Sequence, residues 1–266
     1  GLGMSAAETA DVWASWNEGP LQSFLIELSA DVCRTIDPES GAPLVDLVLD
    51  KAGQKGTGRW TVQTALELGV AVPVMAAATD ARVLSSMKDE RVQASTLLRG
   101  PDARLSLGDQ KRDTILTDLH DALFAARVCT YAQGFALIAA GSSAFDWRID
   151  LAEICRIWTG GCIIRARLLE TARDAFLSDP PLANLLVAPG VAAVTMRLQA
   201  GWRRAVGAAM SVGIPMPCHA AALAYFDTYR SARLPQNLTQ AQRDAFGAHT
   251  YERIDRPGAQ HSSWTG

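Results

Sequence analysis

The sequence predicts an all-α fold, internally duplicated, that ends in an extended carboxy-terminal tail. Three observations predict it. Apolar residues recur at helical spacing over most of the chain, no series of alternating strands interrupts them, and two separated segments repeat at nearly one offset. With 266 residues, 48% hydrophobic and 20% charged, the chain has enough apolar material for a substantial core.

The elements follow in order. Val62, Ala65, Leu66 and Gly69 fall at i, i+3, i+4 and i+7, one helical face. From Asp109 to Ala140 the chain runs without proline. Ile115, Leu116, Leu119 and Leu123 make the first half of that stretch amphipathic. Its second half, ALFAARVCTYAQGFALIAA, is apolar nearly all round, which predicts a central buried helix. A further helix is predicted from Leu151 to Leu177, with Ile154, Trp158 and Cys162 on one stripe. The clusters DPESGAP and SDPPLAN mark loops. Beyond Leu234 a single short helix is expected, begun at Asn237 or Thr239 and ended by Gly247. The rest is polar and irregular, and Trp264 near its end predicts docking onto a surface. The domain limits are 1–232 for the helical body and 233–266 for the tail.

The repeat pairs TADVWASWNEGPL from Thr9 with LAEICRIWTGGCI from Leu151, matching Ala10 with Ala152, Trp16 with Trp158 and Gly19 with Gly161. It also pairs GVAVPVMAAA from Gly69 with GIPMPCHAAA from Gly213, a shared G-x-x-x-P and alanine run. The offsets, 142 and 144 residues, agree apart from a small insertion. The long apolar helix precedes the second copy. Its counterpart in the first copy would lie upstream of Gly1, and the chain does not begin with methionine. The expectation is the carboxy-terminal part of a longer protein.

Several function classes fall away. A formal charge of -3 gives no basis for binding nucleic acid or a membrane surface. The longest apolar run, Val70 to Ala78, holds a proline and is far too short to span a bilayer, and the start lacks the blocks of a secretion signal. The five cysteines lack C-x-x-C spacing, which predicts reduced thiols, mostly in the core, and a cytoplasmic location. GLGMSA fits G-x-G-x-x-A but follows no strand. Cys218–His219 lacks metal-ligand partners, and no G-x-S-x-G occurs. No metal is expected.

Two stretches carry candidate chemistry. In QKGTGRWT, Gly56 and Gly58 let a backbone approach a ligand closely at a helix start, and Lys55 adds a full charge. The Thr57 hydroxyl either caps the helix or donates to an oxygen. The same residues also suit a plain helix cap. In QAQRDAFGAHTYE, Arg243 and His249 flank a glycine turn. An arginine grips a phosphate through two parallel bonds, and a neutral histidine bonds a sugar hydroxyl. A solvated charge and a chance histidine would look alike. Arg82, in ATDARVLSSMKDER, is one polar position on a helix.

Taken together, DKAGQKGTGRWTVQTALELGVAVP, YAQGF, GGCIIR, GIPMPC, YFDTYR and LTQAQRDAFGAHTYER resemble the C-terminal helical region of 6-phosphogluconate dehydrogenase, the decarboxylating enzyme. The resemblance runs from WNEGPLQSFLIE to SSWTG and is to the longer, dimeric form. It implies an all-α domain that forms a homodimer, a tail that threads into the partner subunit, and an N-terminal domain that holds NADP. By position, Lys55 and Thr57 match substrate-phosphate contacts and Arg82 another phosphate-binding arginine. Arg243 and His249 match tail residues given to the neighbouring subunit's 6-phosphogluconate, Arg243 at the phosphate and His249 at the sugar-acid hydroxyls. Thr159 stands where an arginine is common.

The resemblance places the lysine base and glutamate acid upstream of this chain, so no catalytic residue is expected here and the isolated chain is expected to be inactive. The implied reaction oxidises C3 of 6-phosphogluconate with reduction of NADP, loses carbon dioxide and yields ribulose 5-phosphate, a step of the pentose phosphate pathway and of gluconate utilisation. Two alternatives stand beside it. One is a non-catalytic helical module that binds sugar phosphate and dimerises. The other is a related β-hydroxyacid dehydrogenase acting on an acid without phosphate.

Overall fold

A computed structural model describes residues 1–105, 112–179 and 182–264. The expected helix start at Asp109, the Pro180–Pro181 turn, Thr265 and Gly266 lie outside these residues. The chain divides into two compact units, Gly1–Tyr225 and Phe226–Gly266.

The first unit is helical. α1 (Ala6–Asn17) starts at a capping box, in which the Glu8 N–H donates to Ser5 Oγ and the Glu8 carboxylate accepts from the Ser5 N–H. α2 (Phe24–Arg34) starts at Ser23, whose hydroxyl accepts from the Ile26 N–H. The short α3 (Leu44–Leu47), α4 (Thr57–Glu67), α5 (Pro73–Ser86) and α6 (Lys88–Leu97) follow. Then come α7 (Arg112–Ala144), α8 (Leu151–Trp158), α9 (Leu168–Ser178), a 3-10 turn at Leu185–Val187, α10 (Pro189–Ser211) and α11 (Pro217–Tyr229).

α7 is the central helix that its composition predicts. Ala122, Ala125, Val128, Cys129, Ala132 and Phe135 are buried, and α7 packs along α10. It is long and apolar enough to cross a membrane, and half of its most apolar window is buried within the protein itself, as in a core helix. Its amphipathic first half also holds a buried carboxylate. Asp118 accepts two bonds from Arg204 of α10, at 2.9 and 2.7 Å. Gly201 makes room for this: a Cβ there would stand 2.6 Å from Asp121 Oδ2 and 3.0 Å from Asp118 Oδ1. Of the cysteines, all free, Cys129 and Cys155 are buried, and burial pushes both thiols up to about 12. Cys33, Cys162 and Cys218 are half-exposed, so the thiols are less uniformly core residues than expected.

The helix expected over Leu151 to Leu177 is two helices. α8 ends at Trp158, Gly160–Gly161 break the path, and α9 begins at Leu168, so Cys162 leaves the stripe. The intervening chain pairs with the first copy instead. Ser23 and Ala166 form an isolated antiparallel bridge. The Phe24 N–H donates to the Arg165 carbonyl and the Arg167 N–H to the Gln22 carbonyl, both at 3.0 Å. These two bonds are reciprocal. They match Gln22 with Arg165 and Phe24 with Arg167, in a register one residue beyond the first sequence match and one short of the second. The Leu21 and Ile164 carbonyls, equivalent in that register, accept from Arg127 and Tyr131 of α7.

The G-x-x-x-P repeat is one helix ending used twice. Gly69 and Gly213 take φ of +67° and +73°. The Val70 N–H bonds the Ala65 carbonyl at 2.8 Å, and the Ile214 N–H bonds the Ala209 carbonyl at 2.9 Å. Pro73 and Pro217 then open α5 and α11. α4 and α10 therefore end at equivalent residues, yet α10 has 23 residues and α4 only 11. The first copy starts its helix where the second is already in mid-course.

The second unit holds α12 (Gln236–Gly247), ended at Gly247 as expected, and a small antiparallel ribbon, β1 (Tyr251–Glu252) with β2 (Ala259–Gln260). Trp264 docks on the tail's own chain. Its Nε1–H donates to Asp244 Oδ2 at 2.7 Å, and its ring lies 5.3 Å from Tyr251. Burial works against the Asp244 charge, but bonds from Trp264, His261 and the Ser262 N–H outweigh it and hold the carboxyl down at about 2.

Gly201→Ala is expected to lower stability by about 1–3 kcal/mol through overpacking against Asp118 and Asp121, read as a fall in the denaturation midpoint. The Asp244 carboxyl sits below its unfolded value of about 3.9, so its stabilisation of the tail is present above that pH. The hydrogen-bonded Trp264 indole N–H signal should hold its position above pH about 4 and be lost as pH falls toward about 2. An unchanged signal across that window would contradict this.

Candidate functional site

The first copy's short helix leaves an open mouth. α4 begins at Thr57, inside the GTG stretch, so Gly58 belongs to its first turn. Gly56 is the N-cap, with φ of +101°, a left-handed conformation that suits only glycine without strain. No side chain caps this end, so the Thr57 hydroxyl is not a cap. The first helical bond runs from the Trp60 N–H to the Gly56 carbonyl, which leaves the Thr57, Gly58 and Arg59 N–H groups pointing out of the helix start. Gly58 serves packing: a Cβ there would meet Thr79 Oγ1 of α5 at 2.9 Å. Of the two glycines expected to admit a ligand, one sets the backbone turn and the other admits the neighbouring helix.

The loop before the mouth is anchored. Asp50 accepts from Lys88 Nζ at 2.6 Å and from Arg91 Nη2 at 3.0 Å. Those two cations hold its carboxyl down at about 2. Arg91 also donates to the Asp50 and Ser85 carbonyls, and the Ala52 N–H donates to Ser85 Oγ at 2.9 Å. Two tie points thus fix the loop against α5, Ala52 to Ser85 and Gly58 to Thr79. Lys55 lies between them on the loop, and Arg82 lies between them on α5. The fold brings these two candidates to one neighbourhood, although they are far apart in sequence.

Sequence reasoning passed over two residues in the same motif. The Arg59 guanidinium folds back to 3.8 Å from where a Gly56 Cβ would sit, and the Trp60 ring lies at the same distance. Trp60 is exposed. Their signal was position, because the first turn after a left-handed cap faces the mouth. Among the described residues, Lys55, Arg59 and Arg82 pair with no carboxylate, so three free cations lie on the segments that meet at the outward-pointing N–H groups and the exposed Thr57 hydroxyl. That arrangement favours a multiply charged oxyanion.

Arg243 and His249 lie in the second unit. Arg243 Nη1 donates to Gln240 Oε1 at 3.3 Å on α12. His249 follows Ala248, which ends the helix at φ of +50°, and its ring lies 5.8 Å from Phe246. Elsewhere in the first unit an apolar groove of about 510 Å³ is lined by Trp13, Met75, Arg127, Tyr131, Trp158 and His219. None of Lys55, Thr57 and Arg82 lines it.

The architecture defines a class, a duplicated all-α domain with a cationic helix mouth and a structured carboxy-terminal tail. The family model described as the 6-phosphogluconate dehydrogenase C-terminal domain matches residues 1–264, and the chain belongs to that family. It is 52% identical over 264 residues to the decarboxylating 6-phosphogluconate dehydrogenase of Synechococcus elongatus, covering 98% of this chain and 56% of the relative. It is 46% identical over 263 residues to the NADP(+)-dependent, decarboxylating enzyme of Bacillus subtilis, covering 99% of this chain and 56% of that one. A solved Plasmodium falciparum 6-phosphogluconate dehydrogenase, described in apo form and in complex with NADP+ and with 6-phosphogluconate, superposes with a TM-score of 0.94 at 38% identity, over 98% of this chain and 56% of that one. The chain spans about half the length of the relatives it matches.

Asp50→Asn is expected to release the loop at the mouth, so that trypsin cuts at Lys51 and Lys55 about tenfold faster while the folded body stays intact. An unchanged cleavage rate would show that the Lys88 and Arg91 contacts do not hold this loop.

Proposed function

We propose that this chain is the substrate-binding and dimerisation part of a decarboxylating 6-phosphogluconate dehydrogenase. The observation that carries the reading is the α4 mouth, where the Thr57, Gly58 and Arg59 N–H groups point outward and Lys55, Arg59 and Arg82, on the segments that meet there, pair with no carboxylate among the described residues. A phosphate monoester carries about -1.5 to -2 charges at neutral pH, which three cations and a helix start match. Family membership supplies the sugar acid that bears the phosphate.

In this reading the Thr57 hydroxyl and the helix N–H groups bond phosphate oxygens, while Lys55, Arg59 and Arg82 neutralise their charge. The tail of the partner subunit supplies an arginine to the phosphate and a histidine to the sugar-acid hydroxyls, the roles proposed for Arg243 and His249. Binding the remote phosphate fixes the reacting carbons, which lowers the barrier by positioning. Among the described residues the strands are two-residue pieces, and none of them leads into a glycine turn that would hold a dinucleotide. NADP is therefore assigned to the remaining part of the dehydrogenase, together with the proton transfers, and this chain alone is expected to be inactive. A cytoplasmic location belongs to the same proposal.

Dimerisation is supported by exposed apolar residues. Leu25, Leu28 and Val32 form a row at helical spacing on α2, and Ile36, Leu47 and Val48 on the segment that follows are exposed as well. The 266-residue chain is expected to be a dimer at micromolar concentration by light scattering, and a monomer would count against this.

Joined behind the amino-terminal part of the Synechococcus elongatus relative, the chain should support NADP reduction that depends on 6-phosphogluconate. In that fusion Arg243→Ala should weaken substrate binding by about 1.5–3 kcal/mol, read in KM. A folded, dimeric fusion that reduces no NADP would contradict the reading.

A further inference from the structure

We infer that Asp244 is the positioning residue for the tail's binding histidine, acting through Thr250 to present His249 beside Arg243. The inference rests on the functional reading above, because it assigns a device behind residues that reading places at the substrate.

Asp244 is fully buried, and its carboxylate collects four donors. Oδ1 accepts from the Thr250 N–H at 3.0 Å and faces His261 Nδ1 at 2.9 Å. Oδ2 accepts from the Ser262 N–H at 3.1 Å and from Trp264 Nε1–H at 2.7 Å. Both oxygens are thereby saturated, so the carboxylate has no capacity left for a ligand. Its work is structural and local. It draws the chain after the ribbon, residues 261–264, back against α12 and seizes the residue that follows His249.

Thr250 is held from its other side as well. Gln240 Nε2 donates to the Thr250 carbonyl at 2.6 Å, while Gln240 Oε1 accepts from Arg243 Nη1. Thr250 and Ala248 both take positive φ, +59° and +50°, conformations that non-glycine residues hold only when their surroundings impose them. The Ala248 N–H bonds the Asp244 carbonyl at 2.9 Å. His249 therefore sits between two backbone units, each tied to Asp244 and each in a strained region. Its ring lies over Gly247, where a Cβ would stand 2.7 Å from Nε2. One helical turn carries Gln240, Arg243 and Asp244 side by side, so a single carboxylate and a single carboxamide fix an arginine and a histidine in mutual register.

Asp244→Asn keeps the volume and replaces one acceptor oxygen by an NH₂ that faces existing donors. In the fusion described above, it is expected to raise KM for 6-phosphogluconate about tenfold, the loss for a bond to a charged group, with kcat within about twofold. It should add little, less than about twofold, to a fusion already carrying His249→Ala, because Asp244 acts on the substrate only through His249. In the 266-residue chain, the Trp264 indole N–H resonance should move in the same variant while the remaining resonances keep their dispersion, which shows that the fold is retained. An unmoved indole resonance overturns the inference, as does an unchanged KM, or a KM effect that multiplies fully with that of His249→Ala. A wild-type fusion without 6-phosphogluconate turnover overturns the functional reading and this inference with it. An active wild type with an unaffected Asp244→Asn variant overturns the inference alone.

Discussion

The candidate site of the first unit depends on one backbone constraint, a helix that starts at a left-handed glycine. α4 ends where α10 ends in the duplicated unit, yet it begins at Gly56 with φ of +101° and has about half the residues of α10. In the second copy the corresponding stretch lies inside a helix, where Gly201 admits the Asp118–Arg204 pair. The first copy has no such continuation. Its N–H groups emerge at Thr57, Gly58 and Arg59, and among the described residues no side chain caps them. An open helix start, unlike a helix interior, carries both unpaired donors and partial positive charge. The site thus arises where one copy of a repeat departs from the other.

That departure is usable only because the surrounding frame is rigid. The reciprocal bonds from Phe24 to Arg165 and from Arg167 to Gln22 join the two copies, and α7 reaches both turns through Arg127 and Tyr131. The twin glycine endings at Gly69 and Gly213 turn the chain into α5 and α11 in the same way. α5 in turn holds the loop at Ser85 and α4 at Thr79, with Arg82 between these two points on α5 and Lys55 between them on the loop. Asp50, paired with Lys88 and Arg91, closes the loop's far side. Most charges near the loop are consumed in holding it, and those at the mouth are left over.

Much of this was legible in the sequence, and the failures have physical causes. Periodicity found the all-α class and the buried half of α7, because a helix that packs on all sides shows it in composition. The repeat predicted two copies, and it also held the correction to the helix over Leu151 to Leu177: Gly19 and Gly161 align, and the first copy has its break there. Periodicity alone ran through that break, since apolar residues continue on both sides of it. In the mouth, the motif marked a helix start without a side-chain cap, while the packing of Gly58 against Thr79 went unseen because Thr79 is remote in sequence. Arg59 was overlooked since its role depends on which way the first turn faces. In the tail, Asp244 looked like one more exposed charge between Arg243 and Ala245. Only folding the last residues back against α12 turns it into a buried acceptor, and no local pattern announces contacts with His261, Ser262 and Trp264.

The most direct test of the central claim is an NMR titration of the 266-residue chain with 6-phosphogluconate, followed at the backbone amides. The account predicts that the Thr57, Gly58 and Arg59 resonances move most, and that gluconate without the phosphate fails to move them. Shifts confined to other parts of the chain, or equal shifts with gluconate, would contradict it.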